Sequence, residues 1–156
     1  MNRSSMLRMW TAALLVVSCK SGDGATDPPE DLVVGSIVAN IDNVAWRTTT
    51  AIAVYSGTRL AVAGSGGAGI TVGFGLSTLS PGTYTVGSNF ALSATMVDGT
   101  NTVWEANSAG GTGTLTVTSS DGRRVAGTFS FTMVRTTGAG TPVQRVLANG
   151  QFHIQY

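Results

Sequence analysis

One cysteine, one histidine and few charges leave most kinds of site chemistry short of parts. The 156-residue chain has 11% charged residues, its only cysteine at Cys19 and its only histidine at His153. A lone cysteine permits no disulfide within the chain, so the fold must be held by its own apolar core. A lone histidine leaves any Ser-His-Asp relay with His153 as its sole base, and no Gly-x-Ser-x-Gly elbow accompanies it. His153 stands between Gln151 and Gln155 on one strand parity, which reads as a solvated face. Metal sites are equally short of ligands. Asp42, Asp98 and Asp121 each stand at a turn-prone position, where an aspartate bonds nearby backbone, and no clustered calcium loop is present. The expectation is therefore no catalytic residue, no cofactor and no metal. No apolar run reaches the about 20 residues that a spanning helix needs. A formal net charge of +1 without a basic stripe gives no electrostatic case for nucleic acid.

What is present begins at the N-terminus. Arg3 and Arg8 precede an apolar stretch from Met9 to Val17, and Ser18 supplies a small residue before Cys19. Leu15-Val16-Val17-Ser18-Cys19 resembles the lipobox of bacterial lipoproteins. That resemblance implies cleavage before Cys19 and acylation of its sulfur and new amine, several chains being needed because one alone anchors only marginally. Lys20 and Ser21 follow, rather than an aspartate resembling an inner-membrane retention signal, which favours the outer membrane where two membranes exist. Residues 1–18 are thus read as a signal peptide and residues 19–32 as the lipidated cysteine with a tether rich in Ser, Gly, Asp and Pro. Removing residues 1–18 leaves seven basic against eight acidic residues.

Residues 33–156 read as a single all-β domain. Short runs of β-branched and aromatic residues are broken by Gly, Asp-Gly and Pro-Gly, and no segment has helical periodicity. Ser36–Ile41 and Val44–Tyr55 are the first expected strands, with Asp42-Asn43 turning between them. Strands at Arg59–Gly64, Ile70–Leu76, Thr83–Gly87, Ala91–Val97 and Thr102–Ala106 follow. The clearest hairpin joins Gly113–Thr118 to Arg124–Met133 through Ser120-Asp121-Gly122. Leu115 and Val117 share one face of its first strand, Thr114, Thr116 and Thr118 the other; Phe129, Phe131 and Met133 oppose Thr128, Ser130 and Thr132 on the second. Phe152, Ile154 and Tyr156 repeat the pattern in the last strand. About 9–10 short strands with this spacing predict an antiparallel β-sandwich or a flattened β-barrel.

Ile41-Asp-Asn-Val-Ala-Trp46, Pro81-Gly-Thr-Tyr-Thr-Val86, Asp121-Gly-Arg-Arg-Val-Ala-Gly-Thr-Phe-Ser-Phe131 and Asn149-Gly-Gln-Phe-His-Ile154 span the mature domain. In these motifs the chain resembles a loosely defined family of small bacterial lipoproteins of unknown function. They are strands and turns rather than a site, so the resemblance implies a fold and an anchor without an activity.

Three features remain as candidates for recognition. Gly64-Ser-Gly66-Gly-Ala-Gly69 matches the dinucleotide pattern in form, but the alternating Ile70–Leu76 that follows is a strand, not the helix whose N-terminus holds a pyrophosphate. Trp46 and Trp104 are ligand-contact candidates if exposed, and core residues if not. Thr48, Thr50, Thr114, Thr116, Thr118, Thr128 and Thr132 offer hydroxyl-bearing faces, although threonine is also an ordinary solvent-facing strand residue. The chain is accordingly expected to be a non-enzymatic binding or structural module of the cell envelope. Its partners would be the membrane, through Cys19, and a glycan or envelope protein, with a small-molecule carrier built around a barrel cavity as the alternative.

Overall fold

The computed structural model describes residues 32–87, 91–135 and 143–156; the signal peptide, Cys19 and all but the last residue of the tether lie outside these. The described residues form an all-β fold whose pairings are antiparallel, as the alternation predicts. In chain order the strands are β1 (Ser36–Ile41), β2 (Val44–Thr48), β3 (Ile52–Ser56), β4 (Arg59–Ser65), β5 (Thr71–Leu76), β6 (Gly82–Thr85), β7 (Leu92–Val97), β8 (Val103–Ala106), β9 (Thr112–Ser120), β10 (Arg124–Arg135) and β11 (Gln144–Gln155). They make one curled sheet, a half-barrel, in the order β2-β1-β11-β10-β8-β7-β5-β4-β3. The sheet forks at β10: Val125 to Thr132 pair with β9, Val134 and Arg135 pair with β8, and β9 carries β6 on its far side.

The expected strand Val44–Tyr55 divides in two. β2 pairs with β1, whereas β3 pairs with β4 at the other end of the order. The cause is local. The Thr48 hydroxyl accepts the Thr50 backbone N–H at 3.2 Å, and the Ala51 N–H goes to the Gly35 carbonyl at 2.8 Å, so neither amide is left to extend the first ladder. Residues 49–51 thereby link the two ends of the sheet, which must curl to bring them together.

Alternation fills the concave side. Leu60 and Val62 of β4, Val72, Phe74 and Leu76 of β5, and Leu92, Ala94 and Met96 of β7 are all buried while their neighbours are not. Phe74 meets Phe152 with ring centroids 5.0 Å apart, and Phe129 stacks on Phe131 at 5.3 Å. Such ring pairs add about 0.5–1.5 kcal/mol to the burial of the rings themselves. Gly150 lies against the Phe129 ring, where any Cβ would collide with it. Trp46, Phe129, Phe131 and Phe152 belong to one continuous buried cluster, so the interior is filled with side chains.

Turn chemistry closes the hairpins. Asp42 and Asn43 have φ of +49° and +68°, the primed two-residue turn whose twist matches its flanking strands. In the Asp121 turn the carboxylate accepts the N–H groups of Arg123 and Arg124 at 3.1 and 2.8 Å, which holds its carboxyl below the usual range.

Candidate functional site

Two turns, one loop and the start of β11 converge at one end of the sheet. Asp42, in the β1–β2 turn, accepts the Val146 backbone N–H at 2.9 Å and pairs with the Arg145 guanidinium at 2.8 Å. The aspartate is therefore bonded to residues more than 100 positions away, not only to its own turn. Arg145 also lies over the Trp104 ring, 5.1 Å from its centroid. Trp104 donates its Nε1–H to Asp98 Oδ2 at 3.0 Å, and Asp98 Oδ1 accepts the Thr100 N–H, the Thr100 hydroxyl and the Thr102 N–H. The Thr100 hydroxyl first, and then the Trp104 indole, hold the Asp98 carboxyl well below the ordinary carboxylate range. Trp104 is only 4% exposed and spent on this network: it is a structural post.

Trp46 is different. It is 6% exposed, and its Nε1–H is buried without a hydrogen-bond partner among the described residues. An unpaired buried N–H costs about 1–3 kcal/mol, which makes the orphan unusual. Over it runs the glycine loop between β4 and β5, whose residues Gly67–Gly69 form a single 3-10 turn before the chain enters β5. No helix follows, as the alternation of Ile70–Leu76 predicts. Gly66 explains itself by contact: a Cβ there would stand 2.8 Å from both Cε2 and Nε1 of Trp46 and closer still to the Arg47 carbonyl. The glycines of this loop allow a close approach to the indole rather than cradle a phosphate.

Between the loop and the β1–β2 turn lies a surface cleft of about 440 Å³. Ile41, Val44, Ala45, Trp46, Ala68 and Ile70 supply an apolar lining, and Asp42, Arg47 and Arg145 supply its polar groups. This volume lies within the range of small-ligand sites, about 300–1,000 Å³, and an apolar wall with few polar groups is their usual composition. Sequence reasoning named Trp46 but missed the cleft, because its walls come from three separate parts of the chain: residues 41, 42 and 44–47, residues 67, 68 and 70, and residue 145. The orphan indole and the Arg145–Asp42 pair are tertiary facts with no local signature.

The sequence signature of a domain of unknown function, DUF6252, matches residues 35–154, from the residue before β1 to the penultimate residue of β11. The chain belongs to the DUF6252 family. No curated protein and no solved structure matches it.

The remaining candidates of the DUF6252 domain fall elsewhere. His153 is half-buried with Nδ1 2.9 Å from the Leu32 carbonyl oxygen, which the N–H tautomer at Nδ1 satisfies. Among the described residues no three His, Cys, Asp or Glu side chains cluster as metal ligands do. The threonines divide. Thr48 is buried at the β2–β3 corner, with Thr50 beside it. Thr114, Thr116, Thr128 and Thr132 share the outer face of β9 and β10, joined by Thr83 of β6, whose hydroxyl lies 2.9 Å from that of Thr116. Cys19 lies outside the described residues.

Proposed function

We propose that the DUF6252 domain is a non-catalytic recognition module held at a bacterial cell envelope by acylated Cys19, on the outer membrane where two membranes are present, and that its cleft takes an N-acetylated glycan. The observation that carries the reading is an open, mostly apolar cleft walled by Ile41, Val44, Ala68 and Ile70, with Arg47 and Arg145 among its polar groups. An acetamido group offers the complementary chemistry: a carbonyl to accept from the Arg145 guanidinium and a methyl to rest on Ile70, Ala68 and Val44. Arg47, exposed on the cleft, suits a carboxylate carried by such a glycan or its peptide. Neither tryptophan presents an open ring face, so recognition by sugar stacking plays no part in this reading. The alternative, a carrier with an internal cavity, meets an interior filled by Trp46, Phe129, Phe131 and Phe152.

The test is a titration of the mature chain, residues 19–156 with Cys19→Ser, with chitotriose and with muramyl dipeptide, followed by tryptophan fluorescence. Saturable quenching that Ile70→Trp abolishes by filling the cleft, and that glucose oligomers do not reproduce, supports the proposal. Equal responses to acetylated and unacetylated sugars, or none to either, overturn it.

A further inference from the structure

We infer that the free edge of β2 in the Trp46 cleft is a strand-addition site, where a short acidic peptide carried by the glycan pairs with the backbone of Ala45. The inference deepens the recognition reading above and rests on it.

The hairpin decides which backbone groups are free. A two-residue turn at Asp42-Asn43 makes Ile41 and Val44 the hydrogen-bonded pair that closes it. Bonded and non-bonded pairs then alternate along the ladder. Ala39 is therefore bonded to Trp46, whereas Asn40 opposite Ala45, and Val38 opposite Arg47, turn their N–H and C=O groups away from each other. On the β1 side these outward groups meet β11, where Asn40 pairs with Ala148 and Val38 with Gln151. On the β2 side they meet no strand, because β2 ends the order of the sheet and pairs only with β1 among the described residues. An edge of this kind is a template for an added extended chain.

The glycine loop covers only part of it. Gly66 lies against the Arg47 carbonyl, where a Cβ would collide with that oxygen. The loop's own bonds are internal: the Gly66 N–H donates to the Ile70 carbonyl at 2.9 Å and the Ile70 N–H to the Gly67 carbonyl at 3.3 Å. It adds no strand to β2, and the cleft opens between it and the β1–β2 turn with Ala45 in its lining. A single extended segment fits such an opening. The edge of a second sheet does not, since the loop stands where its neighbouring strands would run.

Alternation also sets what the segment carries. A residue opposite Ala45 in antiparallel register exchanges both backbone bonds with it, and its side chain takes the parity of Ala45 and Arg47. Arg47 is then its diagonal neighbour, about 7–8 Å away, a distance that a long side chain spans. Arg47 is exposed and lines the cleft. The described carboxylates are engaged elsewhere: Asp42 with Arg145, Asp98 with Trp104, Glu105 with Asn107, and Asp121 with the amides of its own turn. A carboxylate on the peptide thus meets a guanidinium that has no described counter-charge, and such a charge-assisted bond is stronger than a neutral one. The residues flanking the bridge point the other way, toward Val44 and the apolar wall on which the acetamido methyl rests.

The test follows the Ala45 amide by NMR in the mature chain, residues 19–156 with Cys19→Ser, during titration with muramyl dipeptide, with its carboxamide and with chitotriose. Muramyl dipeptide should shift the Ala45 N–H downfield and protect it from hydrogen exchange, and chitotriose should do neither. The carboxamide should bind about tenfold more weakly than the acid, and Arg47→Gln should erase that difference. Ala45→Pro removes an outward N–H and no bond of the hairpin ladder, so it should weaken muramyl dipeptide by about 5–10-fold. The amide readout on the unaltered strand holds even if the proline variant does not fold. Equal affinity for chitotriose and muramyl dipeptide with an unmoved Ala45 amide overturns the inference and leaves the glycan reading standing, whereas binding of neither removes both. A concentration-dependent dimer that protects the Ala45 amide without ligand also overturns it, because a second copy would then occupy the edge.

Discussion

Two adjacent glycines in the β4–β5 loop should respond oppositely to the same one-carbon change. A Cβ on Gly66 would stand 2.8 Å from Cε2 and Nε1 of Trp46 and nearer still to the Arg47 carbonyl, whereas a Cβ on Gly67 meets nothing within 4 Å. The first collision involves a buried indole and a backbone oxygen, neither of which is the loose end of a flexible side chain. Relief requires the loop to lift from β2, at the cost of overpacking a well-filled site, about 1–3 kcal/mol. For a domain of this size each kcal/mol moves the midpoint of thermal unfolding by about 4 °C, so Gly66→Ala should lower it by about 4–12 °C. Gly67→Ala has space and loses only unfolded-state freedom, which leaves the midpoint unchanged or raises it by about 2–4 °C. Thermal melts of the Cys19→Ser chain, followed by circular dichroism, give both values. Tryptophan emission at 20 °C should also shift for Gly66→Ala alone, because its methyl lands on the indole. Equal midpoints for the two variants would refute the reasoning and mean that Gly66 is not required by the close approach of the loop to Trp46.

Stability should also fall in acid. The Asp98 and Asp121 carboxyls are held below their ordinary values by hydrogen bonds made in the folded state. The unfolded chain therefore binds protons first as pH drops, and the contribution, fully present above about pH 5, is lost progressively below about pH 4. Melts between pH 7 and pH 2 should show this slope, and Asp98→Asn should flatten part of it; an unchanged slope would remove Asp98 from the account. Phe152→Ala should cost about 3–5 kcal/mol in urea unfolding, since the ring is 1% exposed and contacts Phe74 at 5.0 Å. A loss below about 1 kcal/mol would mean that the aromatic cluster is not what holds the concave side.

Much of the architecture is legible in strand parity. Leu115 and Val117 point inward and Thr114 and Thr116 outward because a period of two leaves them no other choice once one face is buried. The long Val44–Tyr55 run misleads for a physical reason: its pattern continues through a corner that the Thr48 side chain makes by taking a backbone amide. Asp42 misleads in a different way. Its position predicts a turn, which it makes, but its carboxylate is bonded to Arg145 and Val146, residues no local rule connects to it. The cleft was illegible for the same reason, and the fate of the two tryptophans even more so. Trp104 finds Asp98 six residues away and is satisfied, while Trp46 finds no acceptor among the described residues.

The corner at residues 49–51 fixes more than a change of partner. Because β2 and β3 are the terminal strands of the nine-strand path, this three-residue segment acts as a strap of set length around the molecule. Its span limits how wide the curl can open, and so limits the volume that Phe74, Phe129 and Phe152 have to fill. Surface connections normally absorb inserted residues at little cost. Here an added residue would lengthen the perimeter of the whole sheet and loosen a core that lies far from it in sequence. The size of the interior is thus written in one of the shortest links of the chain.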